Sequence, residues 1–168
     1  DQETPHKMTT KCNVGSSFSF EDLVCKRQEE GSIMSGFVFP LRKRPAYSYK
    51  QDGREFGAWR NHGRLHAGCD LLASKGTEIL AIDNGTVIQG PYYFYEGTFA
   101  LEVKHDSGLV VRYGEILQAL PRGIGPGARV SQGQVIAYMG QLYGGSSMLH
   151  FEAYKGTLSG ELTTGSGP

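Results

Sequence analysis

The sequence has no excess of charge of either sign, because its 17 Lys and Arg residues are balanced by 17 Asp and Glu residues. A strong basic excess is the usual electrostatic mark of proteins that bind nucleic acids or anionic membranes. Long apolar runs are also missing, and none approaches the roughly 20 residues of a membrane-spanning helix. The segment from Asp1 to Thr10 is polar and does not resemble a secretory signal. We therefore expect neither a nucleic-acid partner nor a membrane span.

Cysteine is scarce, and the three cysteines cannot all pair with one another. Cys12 and Cys25 flank a predicted short helix and could be bridged in an oxidising compartment. Cys69 precedes Asp70 on a predicted strand, where neighbouring side chains point to opposite faces. If Asp70 faces a metal ion, Cys69 faces away from it. We therefore expect Cys69 to be a buried free thiol rather than a metal ligand.

Glycine, in contrast, is abundant at 24 of 168 residues, which indicates many turns rather than long helices. Short β-like runs follow one another without βαβ alternation. The predicted fold is therefore all-β, a single antiparallel β-sheet or sandwich domain. We assign this domain to residues 36–156. Residues 1–35 are predicted to form an N-terminal extension with a short helix, and residues 157–168 a flexible tail.

Two turns between paired runs are predicted inside the domain. Asn84-Gly85 lies between apolar runs at 79–82 and 86–88, and Asn-Gly in that setting is the strongest short hairpin signal. The segment 105–108 turns between a run at 99–104 and its return at 109–113. His105 begins this second turn, where we expect an exposed polar residue rather than a catalyst.

Metal-ligating residue types occur in two separate stretches. His66 and Asp70 lie close together in sequence, and His150 lies in a distant predicted strand. Two nitrogens and one oxygen suit Zn²⁺ and leave a fourth position open, as in catalytic zinc sites. Residues four apart in a straight strand are separated by roughly 13 Å. We therefore expect a turn at Ala67-Gly68 to fold His66 back over a strand that carries Asp70.

Other interpretations of these residues remain open. Spacing of the His-x₃-Asp kind is common by chance, so either residue could be a surface side chain. His62 is the main rival ligand, although we interpret it as a cleft-wall or surface residue.

Five short motifs occur along the chain in the following order: His66-Ala-Gly-Cys-Asp70, Lys75-Gly-Thr77, Asn84-Gly-Thr-Val87, Val130-Ser-Gln-Gly-Gln-Val-Ile136 and Leu149-His-Phe-Glu152. Together they resemble the LytM-type zinc metallopeptidases of peptidase family M23, which cut peptide bonds in bacterial peptidoglycan. The similarity covers about residues 36–156. It implies the fold of that family, with zinc bound by His66, Asp70 and His150.

Two positions depart from the family's usual motifs. Where the family usually has Tyr-x-His, this chain has Tyr113-Gly114-Glu115, and where it usually has His-x-His, the first position is Met148. Both customary catalytic histidines are therefore absent. A carboxylate can accept the proton of a zinc-activated water, so Glu115 is the predicted catalytic base. Beside a bound cation its pKa should lie below the usual value of about 4.3.

Strand alternation predicts which neighbours surround the site. Met148 and Glu152 should share the face of His150, and Glu152 then either orients His150 or is a plain surface carboxylate. Tyr113 should share a face with Glu115. Tyr113 or Arg112 could help to stabilise negative charge on the tetrahedral intermediate.

The residues and the resemblance together imply a zinc-dependent peptidoglycan hydrolase, an endopeptidase that cleaves peptide cross-links of the bacterial cell wall. Peptidoglycan stem peptides are its expected partners, and it would act in the periplasm or at the cell wall. An antibacterial effector with a cognate inhibitor or immunity protein, or a phage lysis component, would fit this activity. The alternatives are a catalytically inactive module that retains zinc and binds cell-wall peptide or a protein partner, and a peptidoglycan amidase.

Overall fold

The computed structural model describes residues 36–60 and 63–155. The regular elements in these ranges are the strands β1 (Cys69–Leu72), β2 (Glu78–Leu80), β3 (Gly85–Tyr93), β4 (Phe99–His105), β5 (Leu109–Ile116), β6 (Arg129–Val130), β7 (Val135–Tyr138) and β8 (Met148–Lys155). Every pairing between them is antiparallel. The predicted all-β antiparallel fold is therefore confirmed. The predicted N-terminal extension with its helix, Cys12, Cys25 and the predicted tail lie outside the described residues.

Six strands form one sheet in the order β1-β8-β5-β4-β3-β6, while β2 and β7 pair as a separate two-stranded sheet. The hydrophobic core contains side chains from both sheets, such as Leu149 from the large sheet and Ile79 and Ile136 from the small one. We call the face of the large sheet that enters this core the inner face, and the face that carries His150 the outer face. Among the described residues, no helix is long and apolar enough to cross a membrane.

Alternation along β8 follows the prediction. Leu149 and Phe151 belong to the core, whereas His150 between them lies on the outer face, where its ring meets Asp70 and Glu152. Cys69 is a buried free cysteine in the same core, as predicted. Burial, together with the charge of the adjacent Asp70, raises the pKa of its thiol to about 12.

The hairpin predicted at Asn84-Gly85 is wrong. β2 pairs with β7, and β3 pairs with β4 and β6, so the runs before and after Asn84 are not partners. Gly85 instead begins β3 next to β4, where an added Cβ would lie 2.6 Å from the carbonyl oxygen of Lys104. The side-chain oxygen of Asn84 accepts a hydrogen bond from the backbone N–H of Gln132 at 2.9 Å. Asn84 and Gly85 therefore make contacts with distant parts of the chain and do not form a local hairpin turn.

The turn between β4 and β5 is confirmed, and Gly108, which donates a backbone hydrogen bond to the His105 carbonyl at 2.9 Å, has a φ of 87°. The prediction that His105 is exposed is wrong, because only 2% of it is accessible. Its Nδ1 lies 3.0 Å from the carbonyl oxygen of Asp83 and its Nε2 lies 3.0 Å from the hydroxyl of Tyr113. That hydroxyl also accepts a hydrogen bond from the backbone N–H of Ile82 at 3.1 Å. His105 is thus a core histidine with both ring nitrogens bonded.

Candidate metal centre

The turn before β1 brings His66 over the start of that strand. The backbone N–H of His66 donates to the carbonyl of Ala58, and its own carbonyl accepts from the N–H of Gly57, both at 2.8 Å. Gly68 then passes very close to β8. A Cβ at Gly68 would overlap the carbonyl oxygen of Phe151 and lie 2.9 Å from Cγ of Glu152. Only glycine allows this approach, which determines the position of His66 relative to β8.

Antiparallel pairing of β1 with β8 sets Asp70 directly opposite His150. His66 completes a triangle of donor atoms. Its Nε2 lies 3.0 Å from Nδ1 of His150 and 3.1 Å from Oδ1 of Asp70, and Nδ1 of His150 lies 2.9 Å from the same Oδ1. Ligands on a tetrahedral zinc with bonds of about 2 Å are separated by roughly 3.3 Å. The three atoms therefore lie close to the spacing that one small cation requires.

The outer hydrogen bonds of the two histidines fix which nitrogen faces this triangle. Nδ1 of His66 lies 2.8 Å from the carbonyl oxygen of Glu55, and Nε2 of His150 lies 2.7 Å from Oε1 of Glu152. Both partners are acceptors, so these two outer nitrogens carry the protons. The inner nitrogens then present lone pairs to each other and to the carboxylate of Asp70. Three acceptors in mutual contact need a cation or a proton between them, so the donor set fits a metal ion.

In the protein alone, protons take the place of a cation. Burial by itself lowers the pKa of His150, but its hydrogen bonds to Asp70 and Glu152 outweigh burial and raise the pKa to about 9. For Asp70, burial raises the pKa, but hydrogen bonds from His150 and His66 lower it to about 2. An ion pair between protonated His150 and ionised Asp70 therefore holds the triangle together near neutral pH.

The second carboxylate oxygen of Asp70 is held by a residue that the sequence did not indicate. Nη2 of Arg60 donates to Oδ2 of Asp70 at 3.1 Å, and Nη1 of Arg60 donates to the carbonyl of Gly53 at 2.6 Å. The Arg60 side chain remains 31% exposed. An arginine ten residues before a carboxylate has no recognisable pattern, so only the fold of the loop reveals this contact.

A β-bulge determines the position of Glu115. Leu101 pairs with Tyr113 and Phe99 pairs with Ile116, so two residues of β5 lie opposite one residue of β4. Glu115, the second of the two, has a φ of 60°, in the left-handed region. Bulges of this kind interrupt alternation and redirect a side chain, often beside an active site.

Because of the bulge, the prediction that Tyr113 and Glu115 share a face is wrong. Tyr113 is fully buried in the core, with its hydroxyl between His105 and the backbone of Ile82. It cannot reach the metal centre. The suggestion that Tyr113 stabilises an intermediate is therefore wrong as well.

The carboxyl group of Glu115 lies within electrostatic reach of the centre, since the charges of His150, Asp70 and Arg60 all act on it. Only 7% of Glu115 is exposed, and its Oε2 has no hydrogen-bond partner among the described residues. Burial raises its pKa to about 7, although the charge of His150 pulls in the other direction. The pKa below the usual value that the sequence predicted rests on a bound cation, which lowers this pKa. Burial by the protein itself opposes that effect.

Met148 opens β8 opposite Leu72 and is partly buried, so no titratable group occupies its position. His62, the rival ligand, lies outside the described residues. Glu152 is buried and bonded to His150, so it orients this histidine and is not a surface carboxylate.

Comparisons with known proteins identify the family and the fold of this chain. The family described as Peptidase family M23 matches residues 64–161. The catalytic domain of the antimicrobial peptidase lysostaphin from Staphylococcus simulans aligns at 23% identity with a TM-score of 0.52, covering 63% of this chain and 80% of that domain. LytU aligns at 24% identity with a TM-score of 0.51, covering 80% of this chain and 84% of LytU.

A second structure of the antimicrobial peptidase lysostaphin aligns at 24% identity with a TM-score of 0.52, and the alignment covers 63% of this chain but only 42% of that chain. At these identities the solved structures establish a common fold. No curated protein sequence matches the chain significantly.

Proposed function

This chain belongs to peptidase family M23, and from that premise we propose that it is a zinc-dependent peptidoglycan hydrolase, an endopeptidase that cleaves peptide cross-links of the bacterial cell wall. The observation that carries the proposal is the triangle of inward-facing donor atoms of His66, Asp70 and His150, all within 3.1 Å of one another. The proposal implies that the protein acts in the periplasm or at the cell wall.

His66 and His150 would hold zinc through their inner nitrogens, and Asp70 through Oδ1. When bound, zinc supplies a water of lowered pKa and polarises the carbonyl group of the substrate. The hydrogen bonds from His66 to Glu55 and from His150 to Glu152 keep both inner lone pairs directed at the ion. Asp70 stays ionised throughout because its pKa is about 2.

We assign the general base to Glu115. Burial raises the pKa of Glu115 to about 7 in the protein alone, and a bound cation would lower it, so the carboxylate would be ionised and ready to accept a proton near neutral pH. Its Oε2 makes no hydrogen bond to the described residues, so this oxygen is free to take the proton. Glu115 would remove a proton from the attacking water. It would then return that proton to the amine that leaves as the peptide C–N bond breaks.

The group that balances negative charge on the reacting carbonyl oxygen is assigned to Arg60 rather than to Arg112. Arg112 is buried and its guanidinium is engaged by Glu102 and Glu152. Both Nη atoms of Arg60 are also bonded, to Gly53 and Asp70, but Arg60 is partly exposed, lies beside the metal ligand Asp70 and carries a permanent positive charge. In relatives that have the usual histidines, a histidinium can supply this positive charge. The residues at the same positions here, Glu115 and Met148, cannot supply it.

Digestion of purified peptidoglycan tests the proposal. We expect soluble fragments with new amino termini in the cross-links, no product after chelation, and recovery on adding zinc. Glu115→Gln should bind zinc normally but release little product. Glu78→Gln, at an exposed ion pair with Arg42, is the matched control and should cleave like the parent protein.

Two other functions are outcomes of the same experiment. Tight zinc binding without any product would identify a catalytically silent module that binds cell-wall peptide or a protein partner. Met148 would be one reason for the missing activity, because its side chain cannot donate or accept a proton. Release of whole stem peptides from the sugar, detected by mass spectrometry of the fragments, would identify an amidase.

A further inference from the structure

A polar ladder crosses the outer face of the large sheet, and all its members except Tyr92 are buried. It consists of Glu152 on β8, Arg112 on β5, Glu102 on β4 and Tyr92 on β3, one residue from each of four neighbouring strands. Arg112 lies directly opposite both Glu152 and Glu102 in the strand register. Charged side chains are rarely buried without a partner, so the contacts of this ladder require an explanation.

The guanidinium of Arg112 is held from both sides. Its Nη1 donates to Oε1 and Oε2 of Glu152 at 3.3 and 3.1 Å, while its Nε donates to Oε1 of Glu102 at 3.3 Å. The hydroxyl of Tyr92 donates to the same Oε1 of Glu102 at 2.6 Å. Oε2 of Glu102 makes no hydrogen bond to the described residues, and Glu102 is 0% exposed. The hydrogen bonds of Glu102 are thus confined to the oxygen that holds Arg112 and Tyr92.

The other end of the ladder reaches the metal centre. Oε1 of Glu152 accepts both from Arg112 and from Nε2 of His150, the latter at 2.7 Å. Oε2 of Glu152 accepts from Arg112 and from the hydroxyl of Tyr154. With three donors around it, the Glu152 carboxylate has little freedom to rotate. The direction of its hydrogen bond with His150 is therefore fixed.

One aromatic ring lies over both groups that Glu152 joins, the imidazole of His150 and the guanidinium of Arg112. Phe94 lies against the imidazole of His150, with ring centroids 5.6 Å apart, and Cζ of Arg112 lies 5.7 Å from the centroid of the same ring. Excluding water lowers the local dielectric, which strengthens the charge-assisted hydrogen bonds beneath the ring.

Stability alone gives a weak reason for this arrangement. Burying an arginine between two carboxylates usually costs as much desolvation energy as the ion pairs return. The ladder instead fixes the orientation of its side chains. A planar guanidinium engages the two carboxylates at fixed angles, which a lysine ammonium cannot do.

We propose that Arg112 and Glu102 are positioning residues for the metal centre, which hold Glu152 so that His150 keeps Nε2 protonated and Nδ1 directed at the ion. This inference rests on the proposed function, because it requires zinc at His66, Asp70 and His150. It adds to the three zinc ligands a set of supporting residues on four strands of the sheet.

The test is zinc affinity, measured by competition with a chromogenic chelator, in the parent protein, Arg112→Lys and Glu102→Gln. Arg112→Lys keeps the charge but not the planar contact with both carboxylates, and we expect zinc to bind about 10- to 100-fold more weakly. Glu102→Gln keeps the shape and should weaken binding by about 3- to 10-fold. In NMR spectra of the zinc-loaded proteins, the Nε2–H proton of His150 should move upfield as its hydrogen bond to Glu152 weakens.

Arg129→Lys is the matched control. Arg129, on β6 of the same sheet, forms a two-bond contact at 2.9 and 2.8 Å with Asp106 in the turn after β4, but this pair is exposed. The control should leave both zinc affinity and the His150 resonance unchanged. Thermal unfolding confirms that each variant is folded at the measuring temperature.

The outcomes separate the two proposals. If the parent protein binds no zinc, the proposed function fails and the ladder proposal fails with it. If the parent binds zinc and both ladder variants bind it equally well, with an unshifted His150 resonance, the ladder proposal alone is overturned. A lower melting temperature without a change in affinity or resonance would likewise overturn it, since the ladder would then be merely structural.

Discussion

Two buried histidines lie on opposite faces of the same sheet and have opposite acid–base behaviour. His105 bonds to a carbonyl oxygen and a tyrosine hydroxyl, and burial lowers its pKa. His150 is also buried, but it lies between two carboxylates that raise its pKa to about 9. Both histidines are buried, so the groups that contact each ring decide whether its pKa is raised or lowered. Neutral partners make a histidine part of the core, whereas paired carboxylates prepare one to hold a cation.

The largest expected effect is the loss of zinc in His150→Ala. Removing one of three ligands should weaken zinc binding by about three orders of magnitude or more and abolish peptidoglycan cleavage. Equilibrium dialysis and the digestion assay measure the two effects. Retention of tight zinc binding by this variant would show that the two histidines do not differ in the way we describe.

Glu115→Gln should have the next largest effect. The bulge moves the Glu115 side chain away from the inner face, where Tyr113 lies. Replacing the Glu115 carboxylate should lower kcat by about 100- to 10,000-fold, as expected for a general base. Zinc affinity should change little, because Glu115 is not a ligand. Unimpaired cleavage by this variant would assign the base to another residue.

His105→Gln should affect stability alone. Its hydrogen bonds join the backbone at Asp83 to Tyr113, and leaving one buried partner unsatisfied should cost about 1–3 kcal/mol of unfolding free energy. Urea unfolding measures this loss. Zinc affinity should stay within twofold of the parent value, and a larger change would contradict the division between the two faces.

The smallest effect is on the pH dependence of the zinc-free protein. The folded pKa of His150 is raised, so its stabilising contribution is complete below about pH 6.5 and is lost as pH rises towards 9. The folded pKa of His105 is lowered, so its contribution is present above about pH 6.5 and is lost as pH falls.

The two histidines can be separated by unfolding the chelated protein between pH 5 and 9. His150→Gln should flatten the alkaline side of the stability profile, and His105→Gln the acidic side. Asp70, with a pKa of about 2, should not contribute in this window. Calorimetry at pH 7 should also detect at least about one proton released per zinc bound, since His150 must lose its proton to coordinate the ion and the cation lowers the pKa of Glu115 from about 7. Parallel profiles in the two variants would contradict the comparison.

The sequence was sufficient for the features that depend on local alternation. Residues of alternating character predicted which side chains of β8 enter the core, and the spacing of His66 and Asp70 required a turn that Gly68 permits. The resemblance to the family added the expected fold. These properties follow from a few neighbouring residues, so one chain is enough to find them.

The errors arose where distant parts of the chain decide the structure. Asn84-Gly85 has the local pattern of a hairpin, but β2 finds its partner in β7 instead. The bulge at Glu115 depends on the register with β4, and alternation along β5 could not reveal it. His105 looked exposed because turn composition does not show what packs above the turn.

The contacts that the sequence did not indicate are of the same kind. Arg60 reaches Asp70 only because its loop folds over β1. The ladder from Glu152 to Tyr92 requires the register of four strands at once. No short-range pattern marks such residues.

Cys69 and Asp70 are consecutive in sequence and point in opposite directions, so the thiol next to the metal centre is enclosed in the core. Peroxides and alkylating reagents attack thiolates, and a thiol with a pKa of about 12 offers almost none at neutral pH. A centre built from imidazole and carboxylate alone would keep its ligands under oxidative attack. The protein can therefore be handled, labelled or exposed to oxidants without loss of the ion through Cys69.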